Sequence, residues 1–158
     1  MREVERGDAS VRSTRGTVLV DDHPFTGILV ERYDDGGVKS RTPYRDGKEE
    51  GEACAWYPDG TMKEIGAYEN GKKIGVHTGW WENGSRRYRY EFVDDLHDGS
   101  ANEWYADGTR FRSFTYRDGQ EEGTQRMWNE DGSVKLNYVV VAGRRYGSLG
   151  RKECEGTE

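Results

Sequence analysis

Three histidines, two cysteines and two pairs of adjacent glutamates are the side chains of this 158-residue chain whose chemistry is most often catalytic. A nucleophile needs a neighbouring base, and a metal needs clustered ligands. His23, His77 and His97 belong to no ligand motif. Cys54 and Cys154 lie far apart at a spacing unlike any zinc motif, so a reduced pair is the plain expectation. Glu49-Glu50 and Glu121-Glu122 have the form of a general acid–base pair, but they fall in polar connections between strands, where solvated carboxylates are ordinary. No glycine loop opens a helix, so a phosphate cradle fails its context test. The expectation is a protein without catalytic residues, metal or cofactor.

One further stretch has chemical promise. In "SRRYRYEF", Ser85 to Phe92, arginines alternate with tyrosines. Strict strand alternation places Arg87 and Arg89 on one face beside Glu91, and Arg86, Tyr88 and Tyr90 on the other. Interleaved arginine and aromatic side chains bind single-stranded nucleic acid by phosphate contact and stacking. The equivalent stretch upstream, "TMKEIGAY", is not basic, so no groove continues. An outward strand face with local ion pairs is the better expectation.

The elements that must position these residues emerge from composition. Hydrophobic residues make up 32% and charged residues 34%, with a mean hydropathy of −1.08. Such values lean toward disorder. Aromatic content of 12%, with 22 glycines at regular intervals and three prolines, points instead to a thin β structure in which rings supply the buried area. The net charge of −6 disfavours nucleic acid and anionic lipid and favours a basic partner. The start "MREVERGDAS" has no apolar leader core, and the longest apolar run is "YVVVA", Tyr138 to Ala142. A cytoplasmic location is expected.

Gly27, Gly51, Gly75, Gly99, Gly123 and Gly147 are evenly spaced at 24 residues. Taking each as position zero, position five is Arg32, Trp56, Trp80, Trp104 and Trp128. Position six is Tyr33, Tyr57, Trp81, Tyr105 and Asn129. Position nine is always glycine, after Asp35, Asp59, Asn83, Asp107 or Asp131, and position seventeen is Tyr44, Tyr68, Phe92, Tyr116 and Val140. Asp-Gly and Asn-Gly are hairpin signals, because both residue types tolerate positive φ. Each unit reads as a β-hairpin, with a second turn such as "ENGK" leading to the next. The expected organisation is an N-terminal arm and capping strand over 1–26, five hairpin units (27–50, 51–74, 75–98, 99–122, 123–146) and a C-terminal tail over 147–158. In the arm, "VRSTRGTVLV" is the expected cap.

The pattern G-x4-W-Y-x-D-G … Y-x-N-G-K-x2-G, read from Gly51 to Gly75, resembles the MORN repeat in its bacterial variant. The resemblance implies an all-β fold of tandem hairpins in one elongated, twisted antiparallel sheet. It also implies an antitoxin or immunity-type component of a toxin–antitoxin system, in which binding rather than catalysis is the activity. Similar arrays serve as scaffolds, self-association modules and membrane-contact modules. The chain departs from the pattern at position two, where a large aromatic is common: here stand Leu29, Ala53, His77, Ala101 and Gln125. Asp95 replaces a turn glycine, and Asn129 replaces the second aromatic of the fifth unit.

Positions five and six are adjacent, so their side chains should point to opposite faces. Trp56, Trp80, Trp104 and Trp128 then form one stripe, and Tyr33, Tyr57, Trp81 and Tyr105 another. One packs internally and one is exposed; alternation alone leaves open which. The exposed stripe, with Arg87 and Arg89 nearby, is the expected contact for a protein partner, a basic toxin in the first instance. The alternative is a scaffold that self-associates through its end strands. Membrane contact ranks lower and nucleic acid is not expected.

Overall fold

The computed structural model describes residues 1–148. Among these residues every regular element is a β-strand. The arm holds β1 (Glu3–Glu5), β2 (Val11–Thr14), β3 (Thr17–Val20) and β4 (His23–Pro24). The first unit contributes β5 (Gly27–Arg32), β6 (Val38–Arg45) and the short β7 (Lys48–Glu49). The second contributes β8 (Gly51–Trp56) and β9 (Met62–Glu69). The third has β10 (Lys72–Trp80) and β11 (Arg86–Val93), and the fourth β12 (Leu96–Trp104), β13 (Arg110–Arg117) and β14 (Gln120–Glu121). β15 (Gly123–Trp128), β16 (Val134–Val141) and β17 (Arg144–Ser148) complete the chain as described.

From β5 to β17 the principal strands pair in sequence order, each antiparallel to the next, in one large sheet. The all-β hairpin array expected from the 24-residue period is therefore the fold. β7 and β14 pair back onto β6 and β13 as short continuations of the second turn.

The two turns of each unit solve the reversal differently. At the first, only the glycine takes a positive φ, from 81° at Gly132 to 89° at Gly36. In the second unit Gly60 N–H donates to the Tyr57 carbonyl at 2.9 Å, and Tyr57 N–H donates to the Thr61 carbonyl at 2.8 Å. The acidic residue is not left-handed here, contrary to the sequence expectation. Its carboxylate instead closes the loop: Asp59 Oδ1 accepts from Thr61 N–H at 2.9 Å and from its hydroxyl at 2.6 Å. At the second turn both central residues are left-handed, as at Asn70 (φ 49°) and Gly71 (φ 79°), the two-residue turn that suits strand twist. Asp95 holds φ 70° without being glycine. Its carboxylate accepts from Lys73 N–H at 2.7 Å, and its own N–H donates to the Lys73 carbonyl at 3.0 Å.

The arm is more than the expected capping strand. β1 lies parallel to β5 and covers the edge of the large sheet. The stretch expected as a single capping strand is a hairpin, β2–β3, and with β4 it makes a separate three-stranded sheet. That small sheet docks on the second turn of the first unit, where Val18 N–H donates to the Gly47 carbonyl at 2.8 Å and Gly47 N–H donates to the Phe25 carbonyl at 2.8 Å. Val4, Val18, Val20, Phe25, Leu29 and Tyr44 form the core cluster beneath it. Burying each of these larger side chains contributes roughly 1.5–3 kcal/mol. Of the expected tail, Gly147 and Ser148 belong to β17, and 149–158 lie outside the described residues.

Residues paired across a ladder share a face. Position zero opposes position seventeen, as Gly51 with Tyr68 and Gly75 with Phe92, and position two opposes position fifteen, as His77 with Tyr90 and Ala101 with Phe114. Leu29, Tyr44, His77, Phe92, Ala101, Phe114, Gln125, Tyr138 and Val140 are all buried and all on this face. Among the described residues, Val30 is the buried ladder residue of the opposite face. The core is thus a one-sided layer.

Candidate functional site

The position-six aromatics, one of the two stripes between which alternation does not choose the exposed one, tie one unit to the next. Tyr33 Oη donates to the Trp56 carbonyl at 2.8 Å, Tyr57 Oη to the Trp80 carbonyl at 2.6 Å, Trp81 Nε1 to the Trp104 carbonyl at 3.0 Å, and Tyr105 Oη to the Trp128 carbonyl at 2.9 Å. The rings are covered as well. Lys39 Nζ lies 6.0 Å from the Tyr33 ring centre, Lys63 Nζ 5.7 Å from Tyr57, and the Arg87 guanidinium 4.5 Å from Trp81. Phe111 takes the same place over Tyr105, with centroids 5.1 Å apart. Tyr57 is only 9% exposed, and Trp81 and Tyr105 are half-buried. In Tyr57, Trp81 and Tyr105 the polar tip and the ring face both make contacts inside the array. Asn129 bonds to Ser133 Oγ at 2.9 Å within its own turn.

The position-five tryptophans are half-buried too. Trp80 pairs with Arg86, whose guanidinium lies 5.4 Å from the Trp104 ring centre. Trp56 pairs with Met62, and Trp104 with Arg110. Neither stripe is a bare aromatic surface.

The arginine–tyrosine stretch also departs from simple alternation. Gly79 pairs with Tyr88 and Trp80 with Arg86, so Arg87 is the extra residue of a β-bulge. The bulge brings Arg87 onto Trp81, beside Tyr88 and Tyr90, and sends Arg86 to Trp104. Arg87 and Arg89 therefore have different neighbours. Arg89 donates to Glu91 Oε1 at 2.7 Å and to Ser100 Oγ at 3.2 Å. The Ser100 N–H and this guanidinium together hold the Glu91 carboxyl below its usual range. A local ion pair is what Arg89 makes.

The core-bearing face contains an arrangement that neither stripe suggested. Ala53 opposes Gly66, and Ala55 opposes Glu64. These small side chains leave a trough of about 350 Å³ over the second unit. Glu31, Tyr33 and Thr42 of the first unit form one wall; His77 and Tyr88 of the third form the other; Glu49, Tyr68 and Lys73 close one end. The missing signal was present in the sequence: position two is alanine in the second unit, and position fifteen, its partner across the hairpin, is glycine.

Beyond the trough the aromatic layer continues. His77 stands edge-on to Tyr68 and Phe92, with centroids at 5.3 and 5.0 Å, and His97 stacks between Phe92 (4.4 Å) and Tyr116 (5.0 Å). Burial lowers the pKa of both histidines and so favours the neutral imidazole. His77 Nε2 meets the Ala67 carbonyl at 2.9 Å. Tyr88 and Tyr90 stack at 4.7 Å. Tyr88 Oη donates to Glu64 Oε2 at 2.8 Å, while Glu103 accepts from both Tyr90 Oη and Arg112. Burial pushes the Tyr68 hydroxyl up to about 12, and Tyr88 and Tyr90 upward as well. The Cys54 thiol is raised by burial, opposite to an activated thiolate. Among the described residues no three His, Cys, Asp or Glu side chains are grouped to hold a metal ion.

No curated protein matches the chain. The family model described as a MORN repeat variant matches residues 49–70, which span the second hairpin from the end of β7 to the Asn70 turn. The match covers one hairpin, the hairpins on either side repeat its form, and such an array suggests a repeat-based binding module.

Proposed function

We propose that the chain is a non-catalytic protein-binding module that acts as an antitoxin or immunity protein, covering a basic toxin and so neutralising it. The observation that carries this reading is the core-bearing face, where aromatic rings and carboxylates lie together on a sheet stapled unit to unit. A surface already rigid loses little conformational entropy on binding, and aromatic residues are favoured at interface hot spots. The net charge of −6 adds steering toward a basic partner. The test is affinity purification of partners with the full chain in its native host, followed by co-expression with whatever is recovered. The expected result is a one-to-one complex and relief of toxicity. A recovered partner that is harmless, or harmful in the presence of the chain, refutes the antitoxin reading.

A self-associating scaffold is the second reading, and one patch favours it. Val139 pairs with Tyr146 near the end of the strand order, and Val141 lies on the same face, with exposures of 39%, 55% and 54%. Light scattering of the purified chain distinguishes the readings: a concentration-dependent oligomer lost on Val141→Lys supports the scaffold, and a monomer excludes it.

A further inference from the structure

The trough over the second unit has a floor, walls and charges of a particular kind. Its floor is Ala53, Ala55 and Gly66. A β-carbon at position 66 would come 2.1 Å from His77 Nδ1, so the imidazole lies directly over the glycine and bounds the trough there. Five rings line the space, Tyr33, Trp56, Tyr68, His77 and Tyr88. Three lysines and three glutamates line it, and the lysines are engaged. Lys39 Nζ bonds to Glu31 at 2.8 Å, Lys63 lies over Tyr57, and Lys73 lies 5.2 Å from the centre of the Phe92 ring. Glu64 accepts from Tyr88. Glu49 differs from all of these. It is half-buried at the end of the trough, and among the described residues its carboxylate has neither a hydrogen bond nor an ion-pair partner. Burial raises its pKa, against the opposing pull of Arg6 and Lys73.

We infer that this trough is an arginine site: it takes one guanidinium side chain of a basic protein partner, with the methylenes on the alanine floor, the planar head against Tyr68 and Tyr88, and Glu49 as its counter-charge. The inference rests on the protein-binding reading above. Arginine fits better than lysine for three reasons. Its planar head stacks on aromatic faces, it forks onto a carboxylate, and it gives up its hydration more readily than an ammonium group. Its aliphatic stem covers apolar floor while the charge reaches a distant acid. A desolvated carboxylate without a donor is the group that gains most from such a partner.

The test uses the full chain and the peptide acetyl-Gly-Arg-Gly-amide, with its neutral citrulline counterpart as control, titrated by NMR on the His77 ring resonances. The expected result is saturable shifts with the arginine peptide and binding weaker by about tenfold or more with citrulline. Glu49→Gln, nearly isosteric at the trough's end, weakens the arginine peptide to the citrulline level. Ala55→Leu fills the floor and removes binding of both. Equal binding of the two peptides, or full affinity in a folded Glu49→Gln protein, overturns the site. The same variant separates this inference from the reading beneath it. A purified partner whose affinity ignores Glu49→Gln leaves protein binding standing and the arginine site refuted. Arginine-peptide binding by a chain that recovers no partner refutes the reading beneath and leaves the site.

Discussion

The hydroxyl of Tyr57 donates a 2.6 Å hydrogen bond to the backbone carbonyl of Trp80, one residue short of a full repeat away. The same bond recurs from Tyr33 to Trp56 and from Tyr105 to Trp128, with the Trp81 indole making it to Trp104. A one-layer sheet has little core, so each unit's grip on its neighbour matters more than in a globular domain.

Tyr57→Phe keeps the ring and removes only the bond. It should cost about 1 kcal/mol and lower the Tm by about 3 °C. Thermal unfolding followed by circular dichroism measures it. An unchanged Tm would show that the Trp80 carbonyl is equally well served by water.

Asp95 holds a left-handed backbone and caps Lys73 N–H with the same side chain. Asp95→Ala loses the cap and keeps the strain, whereas Asp95→Gly loses the cap and relieves the strain. Urea unfolding should therefore rank the alanine variant below the glycine variant by about 1 kcal/mol.

Gly66 lies under the His77 imidazole, so Gly66→Ala must push that ring out of its place between Tyr68 and Phe92. The expected loss is about 1–3 kcal/mol. In a His77→Ala background the same change should cost much less, because the obstructing ring is gone. A double-mutant cycle reads the coupling, and additive losses would refute the contact.

Buried His77 and half-buried His97 predict a pH dependence of definite sign. The folded pKa values of His77 and His97 lie below the usual 6.5, so the unfolded chain binds protons first as pH falls. Stability is complete above about 6.5 and declines as pH drops through the window down to the folded values. Around His97 stand Arg112, Lys73 and Glu103, and the two cations oppose its protonation. Turn carboxylates such as Asp59 and Asp107 have lowered pKa values, so their contribution fades at lower pH still. Chemical denaturation at pH 7 and pH 5 should show a loss that His97→Phe reduces. An equal loss in that variant would assign the effect elsewhere.

Much of this architecture is a local matter. Period, hairpins and turn sites follow from glycines, acidic turn residues and aromatics recurring at 24 residues, because turn chemistry acts over four or five neighbouring residues. The one-sided core follows from alternation within each strand. What alternation cannot supply is the bulge that moves Arg87 onto Trp81 and away from Arg89, since a bulge belongs to a pair of strands rather than to either one. Nor does it supply the destination of the Tyr57 hydroxyl, which depends on how the next unit stacks. The arm reads as one capping strand and is a parallel edge strand plus a second sheet docked on the Gly47 turn, a contact between segments far apart in sequence. The trough lies between these cases. Ala53 and Gly66 are plain in the sequence, but only the register that sets them opposite one another, under walls from two other units, turns two small residues into a cavity.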